Sequence, residues 1–262
     1  MIKWHRNKDG EAQTEGNEMA VTIIDNTVAV TAAEIINFPI GGGKKATSNN
    51  KSLKGHSCMV RPIKDEEQLR AFIGYYKAKA EDGKVSAVRD YALITFGLFS
   101  GLRNSDIIER KWGDLFYENG EWRDCVRILA KKTEKYGEFF ITEPMKAVLM
   151  QYIKALGGSV NLNDYIFPTR QSDHITYRRS LQIVKEGAKA CGIQVNIGTH
   201  SLRKTFGYQS MQEHKDDALF LATLMRLYGH SSERVTLAYC GVDEDNTRDL
   251  FGDVANSFAK YI

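Results

Sequence analysis

The chain has 262 residues, enough for one large domain or two small ones. It is 42% hydrophobic and 26% charged, an ordinary balance for a globular protein and one that gives no sign of global disorder. Thirty-six lysines and arginines stand against 33 acidic residues, so the net charge of +3 excludes a uniformly basic chain and leaves any nucleic-acid contact to local clusters of charge.

Residues 1–19 are polar, with several charges and glycines and no apolar core of the kind a signal peptide needs. Ala20 to Thr31 is rich in Val, Ile and Thr and reads as one strand or a hairpin around Asp25-Asn26. Gly41 to Gly55 carries four lysines, Lys44, Lys45, Lys51 and Lys54, and no acid; it reads as a flexible linker, and a basic arm on DNA phosphates is the compatible functional reading. From Arg61 the pattern tightens. Leu69, Phe72, Ile73 and Tyr76 fall on one helix face. Val88 to Ser100 predicts a mostly apolar helix closed by Gly101, and a short helix follows through Ile107, Ile108 and Trp112. Cys125–Ala130 and Glu138–Thr142 read as two strands joined by the polar Lys131–Gly137 hairpin. Pro144 starts a helix that stops at Gly157-Gly158, and another runs from about Thr176 to Cys191. Three helices fit 200–213, 216–228 and 231–240, and a last amphipathic one fits Leu250, Val254 and Phe258. The predicted class is α+β, mainly helical with a small antiparallel sheet. Cys58, Cys125, Cys191 and Cys240 form no C-x-x-C pair, and no run reaches the roughly eighteen apolar residues of a membrane span, so the expected location is cytoplasmic with no membrane partner.

Four segments carry side chains suited to chemistry. Arg103 follows Gly101-Leu102 at the end of a buried helix, where an arginine is poorly placed to wander. In Thr199-His200-Ser201-Leu202-Arg203, His200 and Arg203 share a helix face; a histidine moves protons near neutral pH and an arginine offers a planar fork to phosphate. The same heptad also reads as a plain helix start. His230 sits in the turn after Gly229, and Tyr239 lies nine positions on; alone, Tyr239 reads equally as a half-buried core tyrosine. The Lys131-Lys132-Thr133-Glu134-Lys135 stretch lies in the hairpin, where a solvated turn is the plain reading.

In this order the residues resemble the catalytic domain of the tyrosine recombinase (phage integrase) family. That family carries an arginine after Gly-Leu, a lysine in a β-hairpin, His-x-x-Arg, Gly-His and a final tyrosine, which here correspond to Arg103, Lys132, His200 with Arg203, His230 and Tyr239. Trp112-Gly113-Asp114 and Tyr165-Ile166-Phe167-Pro168 are similar to two further family segments, and the resemblance covers about three quarters of the chain, from Arg61 onward. It implies the DNA breaking-rejoining fold for residues 61–262, with a C-terminal docking helix from about 246, behind an N-terminal extension of residues 1–60 with short strands.

The implied activity is site-specific cleavage and rejoining of double-stranded DNA through a 3′-phosphotyrosyl bond, without metal, ATP or other cofactor. Arg103 and Arg203 would neutralise the phosphate oxygens and His230 would add a third donor. His200 would take the proton of Tyr239, and Lys132 would protonate the leaving 5′-oxygen, with Lys131 one step away in the hairpin. DNA backbone contacts are expected from Arg178, Arg179, Lys185 and Lys189 and from the Lys44–Lys54 arm, although Arg178 and Arg179 read equally as a solvated face. The resemblance also implies a homo-tetramer on paired DNA sites. Two departures stand out. Only about sixty residues precede the catalytic region, where the family usually has a separate helical DNA-binding domain, and Tyr228 replaces the usual leucine before Gly-His. A DNA-binding remnant that has lost recombination, and a type IB topoisomerase-like relaxing enzyme, are the competing readings.

Overall fold

The computed structural model describes residues 19–24, 27–32, 59–130, 135–215 and 217–259. The four linker lysines, Lys44, Lys45, Lys51 and Lys54, and the hairpin residues Lys131 and Lys132 lie outside the described residues.

The Val- and Thr-rich segment near the N-terminus forms two antiparallel strands, β1 (Met19–Ile24) and β2 (Thr27–Ala32). β1 also pairs antiparallel with β5 (Ser159–Asn161), a three-residue strand that no sequence pattern announced, giving a sheet of order β2-β1-β5. Val21 and Val160 are buried in the main core, so the first strand of the predicted extension packs into the body of the protein.

Ten helices follow among the described residues, and the sequence pattern anticipates most of their limits. α1 (Glu66–Glu81) is capped by Asp65, whose carboxylate accepts from the Gln68 N–H at 2.7 Å, and buries Phe72 and Tyr76. α2 (Val85–Ser100) is buried on nearly every face. It ends at Gly101, whose φ of 60° lies in the left-handed region that a side chain would strain. The single short helix expected through Ile107 and Trp112 is in fact two, α3 (Asn104–Ile108) and α4 (Trp112–Leu115). The chain extends at Lys111 because Trp112 and Gly113 donate their N–H groups to the carbonyls of Asp164 and Leu162, and Asp114 caps the new helix by accepting from the Lys111 N–H. β3 (Cys125–Ala130) and β4 (Lys135–Phe140) form a two-stranded ribbon, with β4 starting three residues earlier than its hydrophobicity suggests.

α5 (Glu143–Ala155) has its proline in the first turn. α6 (Tyr177–Ala190) is capped by Thr176. Then come α7 (Thr199–Glu213), α8 (Ala218–Tyr228), α9 (Glu233–Cys240) and α10 (Val242–Ala259).

The larger core cluster holds Phe72, Tyr76, Phe96, Trp112, Tyr152 and Phe167. A smaller one holds Met211, Leu224, Tyr228, Cys240 and Val242. α7 belongs to both, with Leu202 in the first and Met211 in the second. α10 contacts α9, and three of its apolar side chains, Leu250, Phe251 and Phe258, are 60–72% exposed. No helix among the described residues is long and apolar enough to cross a membrane.

Candidate active site

The site lies where the two clusters meet, and it is built almost wholly from helix ends. Gly101 turns the chain sharply out of α2, which sets Arg103 immediately before α3. α7 brings Arg203 in from one side. α8 ends at Gly229, also left-handed with φ 68°, so the next residue, His230, is held in a tight turn. Its N–H is fixed on the Met225 carbonyl at 3.0 Å. α9 then carries Tyr239 as its penultimate residue.

The Tyr228 carbonyl, one of the unspent acceptors at the α8 C-terminus, binds both arginines. Nη2 of Arg103 and Nη2 of Arg203 each donate to it at 3.3 Å. Arg203 also donates from Nη1 to the Gly101 carbonyl at 2.6 Å, and its guanidinium carbon lies 4.0 Å from the centre of the Tyr228 ring. It is only 4% exposed, and burial pulls its pKa below the ordinary arginine value. A guanidinium so placed is rigid and poorly hydrated, as an anion-binding group needs to be. Arg103 is partly exposed and lies 4.0 Å from Asp106.

His230, Tyr228 and Tyr239 form a triangle of edge-on rings, with His230 5.0 Å from Tyr239. Nδ1 of His230 is 3.0 Å from the Thr236 hydroxyl, which itself donates to the Ser232 carbonyl at 3.4 Å. When that proton points to Ser232, the hydroxyl oxygen accepts from Nδ1–H and the lone pair of neutral His230 falls on Nε2. Burial, reinforced by Arg203 and Arg103, lowers the His230 pKa and so favours this neutral form. Burial raises the Tyr239 pKa, with Arg203 and Arg103 opposing the rise. Tyr239 therefore holds its proton at neutral pH and needs a base to lose it.

The structure thus brings Arg103, Arg203, His230 and Tyr239 together. His200 is exposed in the first turn of α7, one turn ahead of Arg203. Beside it, Thr199 donates to the Tyr177 hydroxyl at 3.3 Å, which sets the start of α6 next to the start of α7. On α6, Arg178, Lys185 and Lys189 are exposed, but Arg179 shares its guanidinium between Asp90 at 3.5 Å and Glu186 at 3.3 Å. Sequence reasoning missed Lys204, which is buried with Nζ 4.8 Å from the Tyr239 ring centre. It also passed over the work of Tyr228. That side chain is fully buried, its hydroxyl donates to the Arg203 carbonyl at 2.5 Å, and it fits because residue 207 is glycine.

Comparison with known proteins identifies the family. The Phage integrase family model matches residues 64–246. The chain is 35% identical over 194 residues to the probable integrase/recombinase YoeC of Bacillus subtilis, covering 74% of this chain and 96% of YoeC. It is 28% identical over 168 residues to tyrosine recombinase XerC of Thermodesulfovibrio yellowstonii, covering 64% of this chain and 54% of that protein. It therefore spans nearly all of YoeC but about half the length of the XerC it matches. Among solved structures, the XerA recombinase superposes with a TM-score of 0.55 at 18% identity, covering 74% of this chain and 65% of that one. The XerH recombinase on its DNA superposes at 0.53 and 20% identity, covering 73% and 52%. At these identities the superpositions speak for the fold alone, which is the one the sequence implied. Family model, relatives and the ordered set of Arg103, Arg203, His230 and Tyr239 lead to one statement: the chain belongs to the phage integrase family of tyrosine recombinases.

Proposed function

We propose that this chain is a site-specific DNA recombinase that breaks and rejoins double-stranded DNA through a covalent bond to Tyr239. The observation that carries the reading is the convergence of two guanidiniums on one carbonyl beside the Tyr239 phenol. Such a pair serves a phosphodiester, which is already anionic and gains charge in the transition state. In the step we envisage, the Tyr239 oxygen attacks phosphorus, the bond from phosphorus to the 5′-oxygen breaks, and a 3′-phosphotyrosine forms. The phenol proton passes to a base, and the 5′-oxygen takes a proton from Lys132 on the hairpin between β3 and β4. Attack by a new 5′-hydroxyl reverses these transfers and frees Tyr239.

His200 is the base that the family resemblance implies. A second assignment is favoured by the hydrogen-bond chain at His230. A neutral imidazole with its lone pair on Nε2, in a ring 5.0 Å from the Tyr239 ring, is suited to accept the phenol proton rather than to donate to phosphate. The exposed Arg178, Lys185 and Lys189 support α6 as a backbone-contacting face. The uncovered apolar residues of α10 support docking onto a neighbouring subunit, as a tetramer on paired sites requires.

Covalent capture tests the reading. The protein is incubated with a pool of nicked duplexes of randomised sequence, denatured, and probed for protein–DNA adducts, whose DNA is then sequenced. Wild type should yield adducts with a shared sequence, and Tyr239→Phe none. Adducts that persist in Tyr239→Phe, or are absent from wild type, would overturn it. Adducts without any shared sequence would point instead to a topoisomerase-like enzyme.

A further inference from the structure

Arg203 and Lys204 are consecutive on α7, and each lies against an aromatic ring of the α8–α9 pair. The Arg203 guanidinium lies 4.0 Å from the Tyr228 ring centre, and the Lys204 ammonium lies 4.8 Å from the Tyr239 ring centre. Those two rings are themselves edge-on at 5.4 Å. Lys204 is only 5% exposed, unusual for a lysine, and its charge also reaches the Cys240 thiol, where it opposes the rise that burial causes.

We propose that Lys204 is a positioning residue for Tyr239, its buried ammonium holding the ring in place and favouring the ionised phenol over the neutral one. The inference rests on the recombinase reading of Tyr239. An aromatic face attracts a cation, and the attraction grows when the phenol ionises and its charge spreads into the ring. Burial limits screening by salt. The contact is therefore worth more to the phenolate than to the phenol, which is the difference catalysis requires. Tyr239 is the nucleophile in cleavage and the leaving group in rejoining, so both directions gain alike. The other groups that act on Tyr239 are the charges of Arg203 and of Arg103 in the loop before α3, the edge-on rings of His230 and Tyr228, and Cys240 on its own helix. Asp106 enters through its effect on Arg203.

The test reads Tyr239 directly and needs no DNA. The protein is labelled with 3-fluorotyrosine, whose lower intrinsic pKa brings ionisation within the range where folds survive. The Tyr239 fluorine resonance is assigned by its loss in Tyr239→Phe, then titrated in wild type, Lys204→Met, Lys204→Gln and Lys204→Arg. Loss of the charge should raise the midpoint by roughly half to one and a half pH units. Lys204→Arg should stay near wild type. Lys204→Gln provides the uncharged comparison if Lys204→Met does not fold. Midpoints that do not move in the uncharged variants, or that move as far in Lys204→Arg, would overturn the inference. A shifted midpoint with no adduct in the capture experiment would sink the recombinase reading and leave the coupling of Lys204 to Tyr239 standing.

Discussion

A methyl group added at Gly207 sets two effects against each other. Alanine in a helix interior is better than glycine by about 0.5–1 kcal/mol, which by itself would stabilise α7. The new Cβ, however, would lie 2.5 Å from Cys240 Sγ and 2.7 Å from the Tyr228 hydroxyl, closer than carbon approaches either atom. Both neighbours are fully buried, at the ends of α9 and α8, and neither can swing into solvent. Overpacking of this kind costs about 1–3 kcal/mol, so it should win, leaving Gly207→Ala less stable by roughly 1–2 kcal/mol. Urea titration should show a lower midpoint with an unchanged slope. In a Cys240→Ala background the nearest atom is gone, and the penalty should shrink by more than about 0.5 kcal/mol, the usual limit of additivity. Adduct formation should also fall, because Cys240 adjoins Tyr239. A Gly207→Ala protein as stable as wild type, or a penalty undiminished in Cys240→Ala, would refute the argument that Gly207 is glycine to admit Tyr228 and Cys240.

Three further outcomes are expected. Arg203→Lys should slow adduct formation by about 10²–10³, because one ammonium cannot keep the Gly101 and Tyr228 anchors and still bind phosphate; a rate within tenfold of wild type would count against the arginine pair. His230 titrates lower in the fold than its ordinary value of 6.5, so the unfolded chain takes up the proton first. Stability is then lost as pH falls from about 6.5 through the folded value, and His230→Asn should flatten the dependence of Tm on pH there; parallel curves would contradict the shift. Lys185→Ala should lower the slope of log affinity against log salt by roughly one, whereas Arg179→Ala should barely change it, since Arg179 is already engaged by Asp90 and Glu186. A Lys185→Ala slope equal to that of wild type would remove Lys185 from the DNA interface.

The sequence made the order of the site legible before its shape. Arg103, Arg203, His230 and Tyr239 were found because in this order they resemble the family's set, and the glycines near Arg103, His230 and Tyr239 mark helix ends that show in a sequence as turn chemistry. Periodicity placed α1, α2, α5 and α6 within a few residues. What it did not show depends on contacts far apart in the chain. β5 is three residues long and exists because β1 pairs with it. The break before Trp112 is made by carbonyls of Leu162 and Asp164, some fifty residues on. Tyr228 reads as a mere departure from leucine until Gly207 is seen opposite its hydroxyl. Lys204 carries no signal of its own beside Arg203, and nothing local announces that it faces inward. The ion pair of Arg179 with Asp90 is equally non-local, since Asp90 is on α2.

The pairing of β1 with β5 bears on how the protein can be handled in pieces. The family match begins at residue 64, which invites a fragment cut there. Such a fragment would lose Ala20 and Val21, both fully buried, and would strip β5 of the strand it pairs with. An open strand edge beside newly exposed Val160 is a template for association between chains. The strand at residues 19–24 thus packs with the body although it lies outside the span of the family match, and a version trimmed at residue 64 would be expected to clump before it could be assayed.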